Sequence, residues 1–512
     1  MRKLFLLLLL FITYYAQSQI LTVEKIMQDP KWIGTSPTNV FWSYNSKALY
    51  FQWNPEKATS DSFYSYQLNS KAPVKLTYND AQLAQAIHDG TYNNARTQIA
   101  YAYKGDIYLL DIPSNKTTRI TQTAVDEVEP AFILSGQSIA YKISDDLYLH
   151  DIKTGFTRQL TGFKNGNTEK PKPITAEEQW LQREAIRTSD VLEKRKEKKD
   201  EQKAYLDKIK NKDTLHIIYT GDNKVLMQQA SPDARFISYT LFEEPTDKST
   251  IVPNYVTESG YTTTIKSREK VGVPQGKYAL YIFDRLKDTV EKITMDSLPG
   301  ITQQPEYLKN YPKQKEDSSN NVRQVYVSTM VWNNEGSTAV LDIRSMDYKD
   351  RWLMQLDTAT LHLKLVDHQH DEAWIAGPGI GWIGYEGVLN FINSHTVYFV
   401  SEATGYAHLY SFDLNTGIKK ALTEGKYEVH NVVLTKDKKY FYIITNEEHP
   451  GKENLYRINT DGSNKQQLTS MTGMYEAFLS LDEKTSLTGI LIKTSRGSCM
   501  WWKMLPIKSL YK

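Results

Sequence analysis

The sequence predicts an all-β chain, a β-propeller of seven complete blades with the beginning of an eighth. Three observations carry that expectation. One strand-and-turn pattern returns along most of the 512 residues. Its uninterrupted copies are spaced by 44 (Thr77 to Thr121), 40 (Thr121 to Thr161) and 46 residues (Thr423 to Thr469). Tyr (34 residues) and Trp (10) are plentiful, as short half-buried strands favour. A period of about 40–50 residues with several strands per unit marks a propeller blade.

The repeat has three parts. A turn such as Ser231-Pro232-Asp233 opens an apolar strand, and equivalents begin at Trp42-Ser43, Tyr92, Leu134, Asn333, Thr435 and Ser480. A second strand ends near Asp, as in "IYLLDI" from Ile107, "LYLHDI" from Leu147, "LYIFDR" from Leu280 and "LYSFDL" from Leu409. A Thr-Gly or Asn turn then leads to a closing Thr at Thr77, Thr121, Thr161, Thr294, Thr423 and Thr469. Alternation along each strand gives one face to each neighbouring blade. A β-sandwich would use similar strands without repeating one turn grammar seven times.

Before the repeats, Arg2 and Lys3 precede an apolar run from Leu4 to Ile12 and then Ala16-Gln17-Ser18. A charged head, a short apolar core and a small-x-small site read as a signal peptide over 1–18, with the mature propeller over 20–485. The apolar run is shorter than the roughly 20 residues that span a bilayer, so no stable membrane anchor is expected. The protein is therefore expected to be exported, periplasmic or secreted. The only Cys is Cys499, which excludes an intrachain disulfide. With 62 basic and 60 acidic residues the net charge is +2, so no global field favours nucleic acid.

Two insertions interrupt the rhythm. Near 175–212 the chain turns polar and helical, opened by the capping box Thr175-Ala176-Glu177-Glu178 ahead of Trp180 and Leu181. Its closely mixed charges describe a solvated helix, not a phosphate-binding surface. The second, Asp247 to Lys277, lies inside one blade and contains "VPNYVTESGYTTTIKSREKVGVPQG". After Thr485 both strand alternation and turn grammar are expected to fail, which sets off 486–512 as an aberrant tail. A reading-frame shift near Thr485 would account for it.

Ser401-Glu402-Ala403-Thr404-Gly405-Tyr406-Ala407-His408-Leu409-Tyr410 is similar to the S-E-x-x-G-x-x-H-L-Y run of the dipeptidyl peptidase IV branch of the prolyl oligopeptidase (S9) family. Ser231-Pro232-Asp233, Val252-Pro253-Asn254-Tyr255, Arg268-Glu269-Lys270-Val271-Gly272 and the helical excursion from Trp180 support the resemblance, up to about Thr485. It implies an N-terminal propeller that caps an α/β-hydrolase domain and restricts access to peptides, with a Ser-Asp-His triad in the second domain. The triad's G-x-S-x-G elbow does not occur: Gly34 to Thr38 and Gly136 to Ala140 lack the second Gly, and Gly497-Ser498 has the wrong spacing. No His follows His449. The chain thus resembles a serine-type peptidase's propeller without its catalytic domain, and no catalytic residue is assigned.

In that branch a Glu pair shortly after a Trp (W-x-Y-E-E) grips the substrate's N-terminal ammonium. Here Trp180 is followed by Leu181-Gln182-Arg183-Glu184, so Glu184 is the nearest match, with Glu177 and Glu178 ahead of the Trp. In Asp367 to Trp374, "DHQHDEAW", His368 and His370 share a strand face but lack a third ligand, so no metal is assigned. His408 reads as a structural, hydrogen-bonded residue, and Trp374 to Gly379 as a rigid turn over aromatic packing. No phosphate loop precedes a helix, and no cofactor is expected. Three functions follow. The first is the substrate-gating propeller of a peptidase, inactive alone and acting on peptides with a hydrolase partner. The second is a self-standing periplasmic binding propeller or scaffold. The third is a propeller enzyme with its site in the central channel.

Overall fold

The recurring Leu-Thr closes each blade by a defined hydrogen bond. The hydroxyls of Thr121, Thr161, Thr423 and Thr469 each accept from a backbone N–H fourteen residues earlier, on Ile107, Leu147, Leu409 and Leu455, all at 2.9 Å. The same hydroxyls donate to a polar group such as Asp146 Oδ1 (3.1 Å) or Asn454 Oδ1 (3.1 Å), or pair with His408 Nδ1 (3.0 Å). The residue before each Thr reinforces this: Ile120, Leu160, Leu422 and Leu468 donate to the carbonyls of Ile107, Leu147, Leu409 and Leu455. Thr77 and Thr294 do not take part. Thr77 instead accepts from Asp80 N (3.2 Å) at the head of helix α1, Tyr78–His88, because a helix follows it directly. Thr294 is exposed.

The opening turns work in the same way. Side-chain oxygens of Ser43, Asn93, Ser231, Asn333 and Thr435 accept from backbone N–H groups five residues on, at 2.9 to 3.2 Å. Short polar side chains that bond their own turn are what these positions need. The Tyr-rich composition is also explained. Directly opposed rings stack across the second and third strands in five blades: Phe51–Tyr64, Tyr101–Tyr108, Tyr141–Tyr148, Tyr239–Tyr281 and Phe399–Tyr410. Their centroids lie 5.5–6.1 Å apart.

These local devices build the all-β propeller that the sequence predicts. The structure, a computed structural model, describes residues 22–26, 36–167, 175–209, 215–245, 249–269, 273, 275–303, 305–310, 322–469, 474–483, 485–494 and 497–506. The expected signal peptide lies outside the described residues. Seven four-stranded antiparallel sheets follow in order: blade 1 (38–75), blade 2 (91–119), blade 3 (127–159), blade 4 (224–292), blade 5 (325–370), blade 6 (389–421) and blade 7 (429–467).

The chain divides into two compact units, 1–88 with 476–512, and 89–475. In the first, blade 1 buries Val40, Trp42, Leu49, Phe51 and Tyr64 against Phe478, and Trp42 Nε1 donates to Phe478 O (2.8 Å). The stretch after Thr485 forms strands despite its irregular pattern. Thr485–Thr494 and Gly497–Pro506 pair antiparallel in unbroken register, and with Met474–Leu479 they make a three-stranded sheet. Residues such as Ile490, Ile492, Trp501 and Trp502 favour strands even where alternation is poor.

The second unit holds blades 2 to 7 and both insertions. Helices α2, Ala176–Arg187, and α3, Asp190–Ile209, leave and return through a short parallel pair, Gly162–Lys164 with Ile217–Tyr219. The capping box is formed: Glu178 N donates to Thr175 Oγ1 and Thr175 N to Glu178 Oε2. The second insertion is a two-stranded hairpin, Ser249–Asn254 with Thr263–Glu269, between the second and third strands of blade 4. A substitution test of the closing bond follows. Thr423→Val keeps the shape but strands the buried Leu409 N–H, so it is expected to cost about 1–3 kcal/mol, read by urea unfolding.

Candidate functional site

Blade 5 ends at His370, and blade 6 begins at Leu389. The connection, 371–388, is unusual in being tied down by buried cations. Arg344, fully buried on the second strand of blade 5, donates through its two terminal nitrogens to Ile375 O and Gly381 O. Lys349 Nζ donates to Glu372 O and, at 3.2 Å, to Ala373 O. Burial pulls the Arg344 guanidinium below its ordinary pKa, and the nearby Tyr326 and Asp342 offset this only in part.

Glycines let the connection fold back tightly. A Cβ on Gly381 would stand 2.5 Å from Gly387 N, and one on Gly387 2.4 Å from Gly381 N, so neither side tolerates a larger residue. Between them Trp382 and Tyr385 exchange backbone hydrogen bonds of 3.0 and 2.9 Å around Ile383-Gly384, where Gly384 has a φ of 81°. The result is a two-residue hairpin tip whose rings meet edge-on at 5.5 Å, with Trp382 and Tyr385 both exposed. Trp374 is 70% exposed, and Ile375 (2%) is the residue that packs. The expected turn over aromatic packing is therefore corrected: the backbone bond from Ile375 N to Tyr348 O and the side-chain bond from Arg344 Nη2 to Ile375 O turn position 375 inward and its neighbour outward.

Glu386, one residue past the tip, lines a cleft of about 250 Å³. First strands of blades 3, 4 and 5 contribute Glu129, Met227 to Gln229 and Val327 to Met330, and Lys142, Ser238, Thr240 and Leu280 from the strands beside them complete it. Such a wall of convergent polar groups on rigid strands is what ligand sites are made of. Below the connection lies a second network. Asp350, 2% exposed, receives His368 Nε2 (2.8 Å) and His370 Nδ1 (2.9 Å) on Oδ1, while Arg323 Nη1 lies 2.7 Å from Oδ2. His370 Nε2 reaches Glu372 at 3.1 Å.

This network titrates in a definite direction. Burial opposes ionisation of Asp350, but His368, Arg323 and His370 outweigh it and hold its carboxyl at about 2. Burial likewise opposes the charged form of His370, but Glu372 and Asp350 raise its pKa above the ordinary imidazole value. A raised histidine gives stability that is complete below its unfolded pKa, near 6.5, and lost as pH rises through the folded value. Thermal stability is therefore expected to fall as pH rises above about 6.5, and His370→Gln to flatten that slope. Asp350 acts oppositely: its contribution is present above 3.8 and lost only as pH falls towards about 2.

The acidic residues singled out from the sequence lie elsewhere. Glu177, Glu178 and Glu184 all sit on α2. Glu178 is occupied by the capping box, Glu184 pairs with Arg187 at 3.1 Å, and none of the three lines the cleft. His368 and His370 do share a strand, but they bond a common carboxylate oxygen. Among the described residues no group of three or more His, Cys, Asp or Glu is arranged to hold a metal. His408 is buried between Thr423 Oγ1 and Gly425 O, both at 3.0 Å, which is the structural role expected of it. Glu386, Thr329 and Arg344 were not singled out. The stretch Gly377 to Gly387, with five glycines among aromatics, was the available signal for the first.

Comparison with family models matches residues 229–488 to the dipeptidyl peptidase IV (DPP IV) N-terminal region. The chain belongs to that family. This dipeptidyl peptidase IV N-terminal region is also similar to solved structures. It aligns with the Porphyromonas gingivalis dipeptidyl peptidase 4 at 13% identity and a TM-score of 0.54, covering 96% of this chain and 61% of that one. A candidate dipeptidyl aminopeptidase IV from Bacteroides ovatus aligns at 10% identity and a TM-score of 0.49, covering 93% and 59%. The likeness to the first concerns the fold, and the chain spans about three-fifths of that protein's length. Comparison with curated proteins finds no match.

Proposed function

We propose that this propeller is the substrate-gating part of an exported dipeptidyl peptidase IV-like serine peptidase, and that these 512 residues alone hydrolyse no peptide. Membership of the dipeptidyl peptidase IV N-terminal family is the observation that carries the reading. The strapped connection 371–388 supports it, because a rigid tip with exposed Trp382 and Tyr385 suits an extended chain passing over it. Its partner is a hydrolase domain supplying the triad, and its substrates are peptides. Export rests on the charged and apolar N-terminal segment; among the described residues no helix is long and apolar enough to cross a membrane.

The expected inactivity is chemical. A Ser hydroxyl is a weak nucleophile unless a His takes its proton and an oxyanion hole receives the developing charge. The sequence contains no elbow Ser to be served in this way. Purified chain is expected to cleave neither peptide nor ester substrates and to take no label from a fluorophosphonate. Labelling of a single Ser, abolished by its replacement with Ala, would show that the propeller carries its own hydrolytic centre.

A further inference from the structure

The first strands of blades 3, 4 and 5 are each bulged. Pairing slips at Glu129-Pro130, at Met227-Gln228 and at Ser328. Glu129 and Met227 stand there at φ of 52° and 55°, in the left-handed region that residues with a Cβ avoid. Bulges bend a strand and re-aim its side chains, and they gather at functional sites. Here the three bulges border the 250 Å³ cleft that Glu386 approaches from the connection after blade 5.

Two oxygen-bearing groups of that cleft have no partner among the described residues. Thr329, 7% exposed, has a buried hydroxyl without a hydrogen bond. Among the described residues the Glu386 carboxylate makes no ion pair. A buried hydroxyl left unpaired is costly, and a ligand that satisfies it recovers that cost. The third acidic or polar candidate, Glu129, is ion-paired with Lys142, so the two charges cancel and the cleft carries one net negative charge. Met227, Leu280, Val327 and Met330 supply an apolar wall beside these groups.

We propose that this cleft binds an organic monocation on an alkyl stem, the chemistry of a lysine or arginine side chain. Glu386 takes the cationic head, Thr329 Oγ1 accepts one of its N–H bonds, and the apolar wall covers the methylenes. A peptide's N-terminal amine fits less well, because a polar amide follows its first carbon and would lie against Met227 and Met330. The site stands independently of the peptidase reading, since it requires neither a catalytic group nor a second domain.

Calorimetric titration of the full chain at low ionic strength tests it, with butylguanidinium and butylammonium as probes and with glycinamide and butanol as comparisons. Both butyl cations are expected to saturate one site, with glycinamide and butanol weaker by about tenfold or more. Glu386→Gln is expected to weaken the cations about tenfold or more, Thr329→Val by several-fold, and the exposed Glu335→Gln not at all. The proposal is overturned if the butyl cations do not saturate, if glycinamide equals them, or if Glu386→Gln leaves their affinity unchanged. Because Glu386 is exposed on a connection held through backbone carbonyls, its variant retains the fold, which unfolding curves will verify.

Discussion

Arg351→Met should destabilise the protein by about 3–5 kcal/mol, the usual cost of removing one partner of a buried ion pair. Arg351 and Asp342 are both fully buried on adjacent strands of blade 5. Arg351 Nε lies 3.1 and 2.9 Å from the two carboxylate oxygens, and Nη2 lies 2.7 Å from Oδ2. Nη1 donates to Val400 O at 2.6 Å and so ties blade 5 to the strand that leads into Ser401-Glu402. Methionine fills part of the volume but leaves the buried Asp342 carboxylate without its hydrogen-bonded partner. The double replacement Arg351→Met with Asp342→Leu should recover most of the loss, since an apolar pair of similar size often matches a buried ion pair. Denaturant unfolding followed by tryptophan fluorescence measures both. A single-variant loss below about 1 kcal/mol would mean that the carboxylate escapes its burial, for instance by taking up a proton.

Trp352→Ala is expected to cost a similar 3–5 kcal/mol, for a different reason. The side chain is fully buried in the cluster that includes Phe236, Trp332, Leu341, Ile343 and Met354, so truncation opens a cavity that rigid strands cannot close. It also removes the donor to Pro299 O (2.8 Å) and the ring that stacks on His368 at 5.3 Å. His368 then loses the surface that aims Nε2 at Asp350. Trp352→Phe restores most of the volume and should recover more than half the loss in the same unfolding experiment.

The parts of the fold that the sequence made legible are those whose causes are local. The opening turns, the Leu-Thr closure and four of the five aromatic pairs act within roughly fifteen residues, so their period shows directly in the chain; Tyr239 and Tyr281 are separated by the hairpin insertion. The capping box at Thr175 and the structural role of His408 were readable for the same reason. Thr77 carried the right residue type but was claimed by a helix, and the hairpin after Thr485 formed on strand propensity despite poor alternation. The candidate site was less legible. Arg344 reaches Ile375 and Gly381 across 31 and 37 residues, so nothing near it in the chain announces its partners. The bulges at Glu129, Met227 and Ser328 leave no mark on composition at all, because a bulge is a mismatch between two strands.

The threonine closure described for blades 2, 3, 6 and 7 also bears on how the chain finds its structure. Each such bond spans only fourteen residues, as the bonds at Thr121, Thr161, Thr423 and Thr469 show. Loop-closure entropy rises slowly but from its lowest values at such short separations, and low contact order goes with fast assembly. A nascent blade can therefore lock its third and fourth strands together while later blades are still unmade. Growth then resembles a repeat array, in which each unit has its own stability and a coupling to its neighbours. In that regime, damage to one closure is paid locally, and the remaining blades keep their own foldons.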